Sequence, residues 1–99
     1  MEKMPRDDSQ EHRAGGGSRI LIVDDEEIIH DSLKRTLGRQ GHRVDAVFGA
    51  PEALDRLSSN EYDLVITDLM MPDVNGIQLL QSMRAKGHQV PVLMITGYP

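Results

Sequence analysis

Four side chains in this sequence could do chemistry together: the carboxylates of Asp24, Asp25 and Asp68 and the hydroxyl of Thr96. Each stands at the C-terminal end of a short apolar run, after Ile20-Leu21-Ile22-Val23, after Leu64-Val65-Ile66-Thr67, and after the run Val90 to Ile95. If these runs are parallel strands of one sheet, their carboxyl ends share a pole, and that is where ligands of open α/β sheets bind. With the first and third strands adjacent, the three carboxylates converge. Like charges that close are unfavourable and raise one or more pKa values. A divalent hard cation relieves the repulsion by taking oxygen ligands. Magnesium suits the arrangement, because it uses few protein carboxylates, keeps several waters and leaves room for phosphate oxygens.

A blander reading competes at each position. Asp24 to Glu27 could be an acidic first helical turn, which is favourable at a helix N-terminus. That reading is adopted for Glu26 and Glu27 but not for Asp24 and Asp25, which sit at a strand end opposite Asp68. A lone Asp at a strand end is usually a turn residue. Asp68, however, is followed by Leu69-Met70-Met71-Pro72-Asp73-Val74-Asn75-Gly76. There Pro72 and Gly76 are expected to fix a rigid loop that holds the Asp68 carboxylate outward. The side chains of Met70 and Met71 read as core fillers. Thr96 taken alone is an ordinary strand residue. The histidines read as structural or solvated, and His42 and His88 fall at the opposite pole, so no joint metal site is assigned to them.

The elements that must position these groups follow from two alternating periods. Ile20 to Val23 is β-branched and wholly apolar, a strand buried on both faces. Ile29, Leu33 and Leu37 then recur at helical spacing, with Gly38 and Gly41 as the stop. Val44, Ala46 and Phe48 alternate as on a second strand. Pro51 suits the first turn of a second helix, with Ala53, Leu54 and Leu57 inward. Leu64 to Ile66 is a third strand, ending at Thr67-Asp68. Pro72 to Gly76 is a loop, and Ile77, Leu79, Leu80 and Met83 give a third helix closed by Gly87. Val90 to Ile95 is a fourth strand, ending at Thr96-Gly97. The order β-α-β-α-β-α-β implies an α/β fold, a parallel sheet with right-handed crossovers. No Gly-rich phosphate loop follows the first strand, where a dinucleotide fold would carry GxGxxG. Gly41-His42-Arg43-Val44 and Gly87-His88-Gln89-Val90 echo one another; both are helix-to-strand joints, and the echo reads as loop chemistry rather than a repeat.

Composition excludes several classes. The chain has 99 residues, 38% hydrophobic, with one Phe, two Tyr and no Trp, so a single small core must come from Ile, Leu, Val and Met. There is no Cys, which removes disulfide scaffolds, thiolate zinc sites and cysteine nucleophiles. A formal charge of −5 argues against nucleic-acid binding, which needs clustered Lys and Arg. No apolar run approaches the roughly 18 residues a membrane helix requires, and no signal peptide is visible. Residues 1–18 offer only Met1, Met4 and Ala14 as apolar side chains and end in Gly15-Gly16-Gly17-Ser18. They read as a disordered tail and flexible linker, leaving 19–99 as the folded domain.

Three motifs carry a family resemblance: LIVDDEE, then DLMMPDVNG about forty residues on, then LMITGY. In this order, at strand ends, they resemble the receiver domain of bacterial response regulators, the output half of two-component signalling, in a chemotaxis-regulator-like form. The resemblance covers 19–99. It implies the flavodoxin-like, doubly wound strand order 2-1-3-4-5, in which the first and third strands are neighbours. It further implies that Asp68 is the phosphoacceptor and that Asp25 is a direct magnesium ligand, with Asp24 acting through water. Asp68 itself and the main-chain carbonyl of Met70 complete the implied ligand set, and Thr96 is the implied switch hydroxyl. A sensor histidine kinase or phosphotransfer protein is the implied donor and Mg2+ the implied cofactor, in the cytoplasm. The domain is then no enzyme acting on a separate substrate; it takes part in its own phosphorylation and dephosphorylation.

The resemblance also has gaps. A receiver continues with a fourth helix, a fifth strand and a fifth helix, and carries a Lys at the end of the fifth strand that contacts the phosphoryl oxygens. Lys3, Lys34 and Lys86 cannot match it. The chain is therefore expected to be a truncated gene product or a piece of a longer regulator, with slow phosphorylation. Leu93 to Pro99 resembles receivers attached to transcriptional activators or other large output domains, so an output domain beyond residue 99 is an expected partner. Without a fifth strand, Val90 to Ile95 is an apolar edge expected to self-associate or to take a strand from another polypeptide. Two function classes follow. One is a phosphorylation-dependent signalling switch, favoured by the intact Asp24, Asp25, Asp68, Thr96 set. The other is a non-signalling interaction module, favoured by the missing Lys. A magnesium-dependent phosphohydrolase with an Asp nucleophile fits poorly, because Met70 stands where a second acid belongs.

Overall fold

The computed structural model describes residues 17–96. Four strands and three helices alternate: β1 (Arg19–Val23), α1 (Glu27–Arg39), β2 (Arg43–Val47), α2 (Ala50–Ser59), β3 (Leu64–Asp68), α3 (Gly76–Ala85) and β4 (Val92–Ile95). The strands form one parallel sheet in the order β2-β1-β3-β4. That is the expected flavodoxin-like order over the strands described. It places β1 between β2 and β3, which is why β1 reads as continuous Ile, Leu and Val: Leu21, Ile22 and Val23 are all fully buried.

Side-chain alternation along the strands divides the core in two. Leu21, Val23, Val47 and Val65 face α2 and α3 and pack on Ala53, Leu57, Leu79 and Met83. Ile20, Ile22 and Ile66 face the other way, toward Leu33 and Leu37 of α1. Of the predicted inward residues, Leu33 and Leu37 of α1 and Ala53, Leu54 and Leu57 of α2 join these clusters; Ile29 does not, and the buried residue at its turn of α1 is His30. In α3 the phase differs from expectation. Gly76, Leu79 and Met83 are its buried residues, spaced three and four apart, and this turns Ile77 outward to 50% exposure.

Other boundaries differ from expectation as well. Gly38, expected to stop α1, lies inside it; the stop is Gly41 at φ 91°. The amide of Gly41 donates to the Gly38 carbonyl at 3.0 Å and that of His42 to Leu37 at 3.2 Å, the two bonds of a Schellman turn. The end of α3 repeats it: Gly87, at φ 90°, donates to Arg84 at 3.1 Å, and His88 to Met83 at 2.9 Å. The Gly-His echo is thus one turn used twice. Phe48, expected on the second strand, lies beyond it: β2 ends at Val47, and Phe48 is 51% exposed in the turn to α2, its amide donating to Glu52 Oε1. The fourth strand begins at Val92 rather than Val90.

Gly17 and Ser18, read as the end of the linker, belong to the packed domain. Ser18 donates its amide to His42 Nδ1 at 3.0 Å and accepts from the Arg43 amide at 2.9 Å. The rest of the predicted tail, 1–16, lies outside the described residues, as do Gly97, Tyr98 and Pro99. Among the described residues no helix is long and apolar enough to cross a membrane, and β4 is an outer strand with Leu93 51% exposed.

Candidate functional site

The carboxyl ends of β1 and β3 bring Asp24, Asp25 and Asp68 together. One carboxylate oxygen from each lies within 4.8 Å of the others. The cause is register: Val23 pairs with Thr67, so the residues that follow them leave the sheet side by side. Asp24 is buried, Asp25 exposed and Asp68 half-buried, a graded set that opens to solvent on one side.

Asp24 is held on several atoms. Its amide donates to the Val47 carbonyl at 3.1 Å, and its Oδ1 accepts from the Glu26 amide at 2.8 Å. Burial pushes its carboxyl above the ordinary value of 3.8. The Glu26 amide works against that shift, while repulsion from Asp68, Asp25 and Glu26 adds to it. A carboxylate destabilised by burial and by two neighbouring carboxylates is the donor set that a hard divalent cation would relieve, so these residues fit a magnesium ion.

The segment after Asp68 fixes its direction. The Met70 amide donates to Asp68 Oδ1 at 3.1 Å, the Leu69 amide to the Ile95 carbonyl at 2.7 Å, and the Gly76 amide to Leu69 at 2.9 Å. Asp73 adopts φ 69°, and the Val74 amide closes on the Pro72 carbonyl at 2.7 Å. Gly76, expected as loop, opens α3 instead. Asn75 caps the helix, accepting from the Gln78 amide at 2.8 Å while Gln78 Oε1 accepts from Asn75 at 2.9 Å. The expectation that Met70 and Met71 fill the core holds only for Met71. Met70 is 65% exposed beside the site.

Thr96 follows β4 directly and is exposed; because Asp68 pairs with Ile95, Thr96 lies one residue beyond the level of Asp68. Glu26 and Glu27 begin α1, and Glu26 makes no side-chain cap. His42 and His88 sit in the turns at the opposite pole. One residue beside the site, read in the sequence only as structural or solvated, is His30. It is buried, and its Nε2 lies 2.8 Å from the Asp24 carbonyl oxygen. Its signal was helical spacing, since His30, Leu33 and Leu37 lie three and four apart on one face of α1.

Comparison with known proteins agrees with this geometry. The sequence profile of the response regulator receiver domain matches residues 20–99. The two-component response regulator PhoP of Pseudomonas aeruginosa is 41% identical over 79 residues, 80% of this chain and 35% of that protein. This chain therefore spans about a third of the curated relatives it matches. The response regulator TrrA of Thermotoga maritima, solved in complex with Mg2+ and BeF, is 38% identical with a TM-score of 0.75, over 81% of this chain and 70% of that one. TrrA solved in complex with the histidine kinase ThkA aligns with a TM-score of 0.74 at 37% identity, over 82% of this chain and 70% of that one.

Proposed function

The chain belongs to the response regulator receiver domain family, and from that premise we propose that Asp68 takes a phosphoryl group from the phosphohistidine of a sensor histidine kinase or phosphotransfer protein. The observation that carries the reading is the convergence of Asp24, Asp25 and Asp68 within 4.8 Å at the ends of adjacent parallel strands. In the transfer, an Asp68 carboxylate oxygen bonds to phosphorus and the donor's P–N bond breaks. Hydrolysis then returns the carboxylate and releases inorganic phosphate. Such a reaction asks the protein for position and charge neutralisation more than for covalent chemistry.

Asp24, Asp25, Asp68 and the main-chain carbonyl of Met70 would hold Mg2+. Bound there, the ion supplies the positive charge that lets a phosphoryl group approach three carboxylates. The Met70 amide orients the Asp68 carboxylate through Oδ1, and Thr96, just past β4, would supply the switch hydroxyl. The product adds about −1.5 to −2 charge and strong acceptor oxygens at this pole. On this reading the domain acts on itself rather than as an enzyme for a separate substrate. A cytoplasmic location and an output domain elsewhere in the full-length protein go with it. The histidine kinase complex of the relative TrrA supports the choice of donor.

Intact mass after incubation with acetyl phosphate and magnesium tests the proposal. One phosphoryl adduct is expected on the native chain and none on Asp68→Asn. An adduct that survives Asp68→Asn would show the assignment wrong. No adduct on the native chain would favour an interaction module over a switch.

A further inference from the structure

The peptide that joins Asp24 to Asp25 is pinned from α1. The His30 ring is only 5% exposed, and Nε2 lies 2.8 Å from the Asp24 carbonyl oxygen. A carbonyl oxygen can only accept, so Nε2 carries the proton. The imidazole packs on Phe48, whose ring centroid lies 4.4 Å away at a tilt of 40°. Phe48 is itself held through its amide by Glu52 Oε1 at 2.9 Å. His30 of α1 alone reaches the Asp24 carbonyl oxygen; Phe48, just past β2, packs on the His30 ring, and Glu52 of α2 holds Phe48.

We propose that His30 is a positioning residue for the metal site, its Nε2–H fixing the Asp24 carbonyl and through it the direction in which Asp25 leaves β1. This deepens the reading of the acidic pole as a magnesium site and rests on it. The mechanism is geometric. The Asp24 carbonyl and the Asp25 amide belong to one planar peptide unit. Its oxygen is held by His30, and the preceding peptide is held by the Asp24 amide on Val47 at 3.1 Å. With both peptide planes fixed, the Asp24 and Asp25 carboxylates present their oxygens to Asp68 without the cost of first ordering a loop. Outer hydrogen bonds of this kind tune metal sites. A purely space-filling role would ask only for a ring of the right size. The positioning role asks for a donor at the Nε2 position.

Manganese(II), a paramagnetic substitute for magnesium, gives the direct measurement: free ion counted by electron paramagnetic resonance against the full chain. Native protein is expected to bind and Asp25→Ala to lose binding. His30→Leu is expected to weaken affinity about tenfold or more. His30→Gln places an amide donor where Nε2 lies and should stay near native, whereas His30→Asn reaches only the Nδ1 position and should fall with Leu. Denaturant midpoints measured alongside confirm that the comparison is between folded chains. If His30→Leu does not fold, the Gln and Asn pair decides. Equal affinity in that pair overturns the proposal, as does native affinity in His30→Leu. A long-range 15N spectrum of the native chain that shows the Nδ1–H tautomer at His30 would also overturn it. If the native chain binds no manganese, the metal reading itself falls and takes this assignment with it. If the native chain binds and all His30 variants bind alike, only the role of His30 falls.

Discussion

Gly76 lies so close beneath Asp68 that a Cβ built on it would stand 2.8 Å from the Asp68 carbonyl oxygen and 3.2 Å from Leu69 Cα. Both neighbours are main chain, so neither can swing aside. The glycine at the start of α3 thus lets the helix press against the segment that carries the candidate phosphoacceptor. Gly76→Ala is expected to cost about 1–3 kcal/mol, the usual range for forced overpacking. Gly38 is the internal contrast. It lies inside α1, and a methyl group added there would meet nothing within 4 Å. Gly38→Ala should therefore stabilise by about 0.5–1 kcal/mol, because alanine loses less entropy in a helix. Urea unfolding of the two variants checks the pair, and equal effects would show that close approach is not what Gly76 is for.

Tyr62 anchors the opposite pole. Its hydroxyl donates to Asp45 Oδ2 at 2.6 Å, while Arg19 and Arg56 approach the same oxygen at 3.6 and 3.7 Å. Burial pushes the phenol above its ordinary value of 10.0, and the hydrogen bond to Asp45 and the Asp45 charge add to the shift. A raised folded value means a stability contribution fully present below pH 10.0 and lost as pH rises through that higher value. Tyr62→Phe should cost about 1 kcal/mol at neutral pH. It should also flatten the alkaline loss of stability. Denaturant unfolding at neutral and alkaline pH measures both, and an unchanged alkaline slope in the variant would assign the loss to another group.

Met70 separates side chain from main chain at the site. Its side chain is 65% exposed, while its amide orients Asp68 Oδ1. Met70→Ala should move the unfolding free energy by no more than about 0.5 kcal/mol, as surface changes usually do. Manganese affinity should stay at the native level, because the proposed ligand is the carbonyl. A large loss of affinity in Met70→Ala would put the thioether, not the main chain, at the site.

The strands and the acids at their ends were legible because both are written in local pattern. Runs such as Ile20 to Val23 read as strands buried on two faces, and the acids that end two of them meet once those strands are neighbours, an adjacency that the family resemblance implies. What was not legible depended on phase and on three-dimensional approach. Ile77 and Leu80 match a helical stripe as well as Leu79 and Met83 do, and only the sheet decides which stripe turns inward. Gly76 reads as a loop residue, because what constrains it is the Asp68 carbonyl, which no local pattern places against it. Phe48 continues the alternation of β2, yet the strand ends one residue sooner and the ring goes to His30 instead. The role of His30 was hidden because its partner is a main-chain oxygen, which no side-chain motif records.

Asp24 should behave as a residue that weakens the metal-free fold. Its folded pKa is raised, mainly by burial, so its stability contribution is present below pH 3.8 and lost as pH rises through the higher folded value. At neutral pH without metal, Asp24→Asn is expected to melt above the native chain. Asparagine keeps an oxygen to accept from the Glu26 amide and removes one of the converging charges. In a domain of this size each kcal/mol of relief raises Tm by about 4–8 °C. The same variant should lose most of the response to magnesium, whereas the native chain should gain about 2.7 kcal/mol at a hundredfold excess over Kd. Other carboxylates also titrate as pH falls, so the quantity to follow is the difference in Tm between native and variant. That difference should shrink as the pH drops below the folded value of Asp24, where the native side chain becomes neutral as well. Thermal melts in a metal chelator and in magnesium, across this pH range, measure it. A variant that melts lower without metal, or that responds to magnesium as the native chain does, would remove Asp24 from the proposed site.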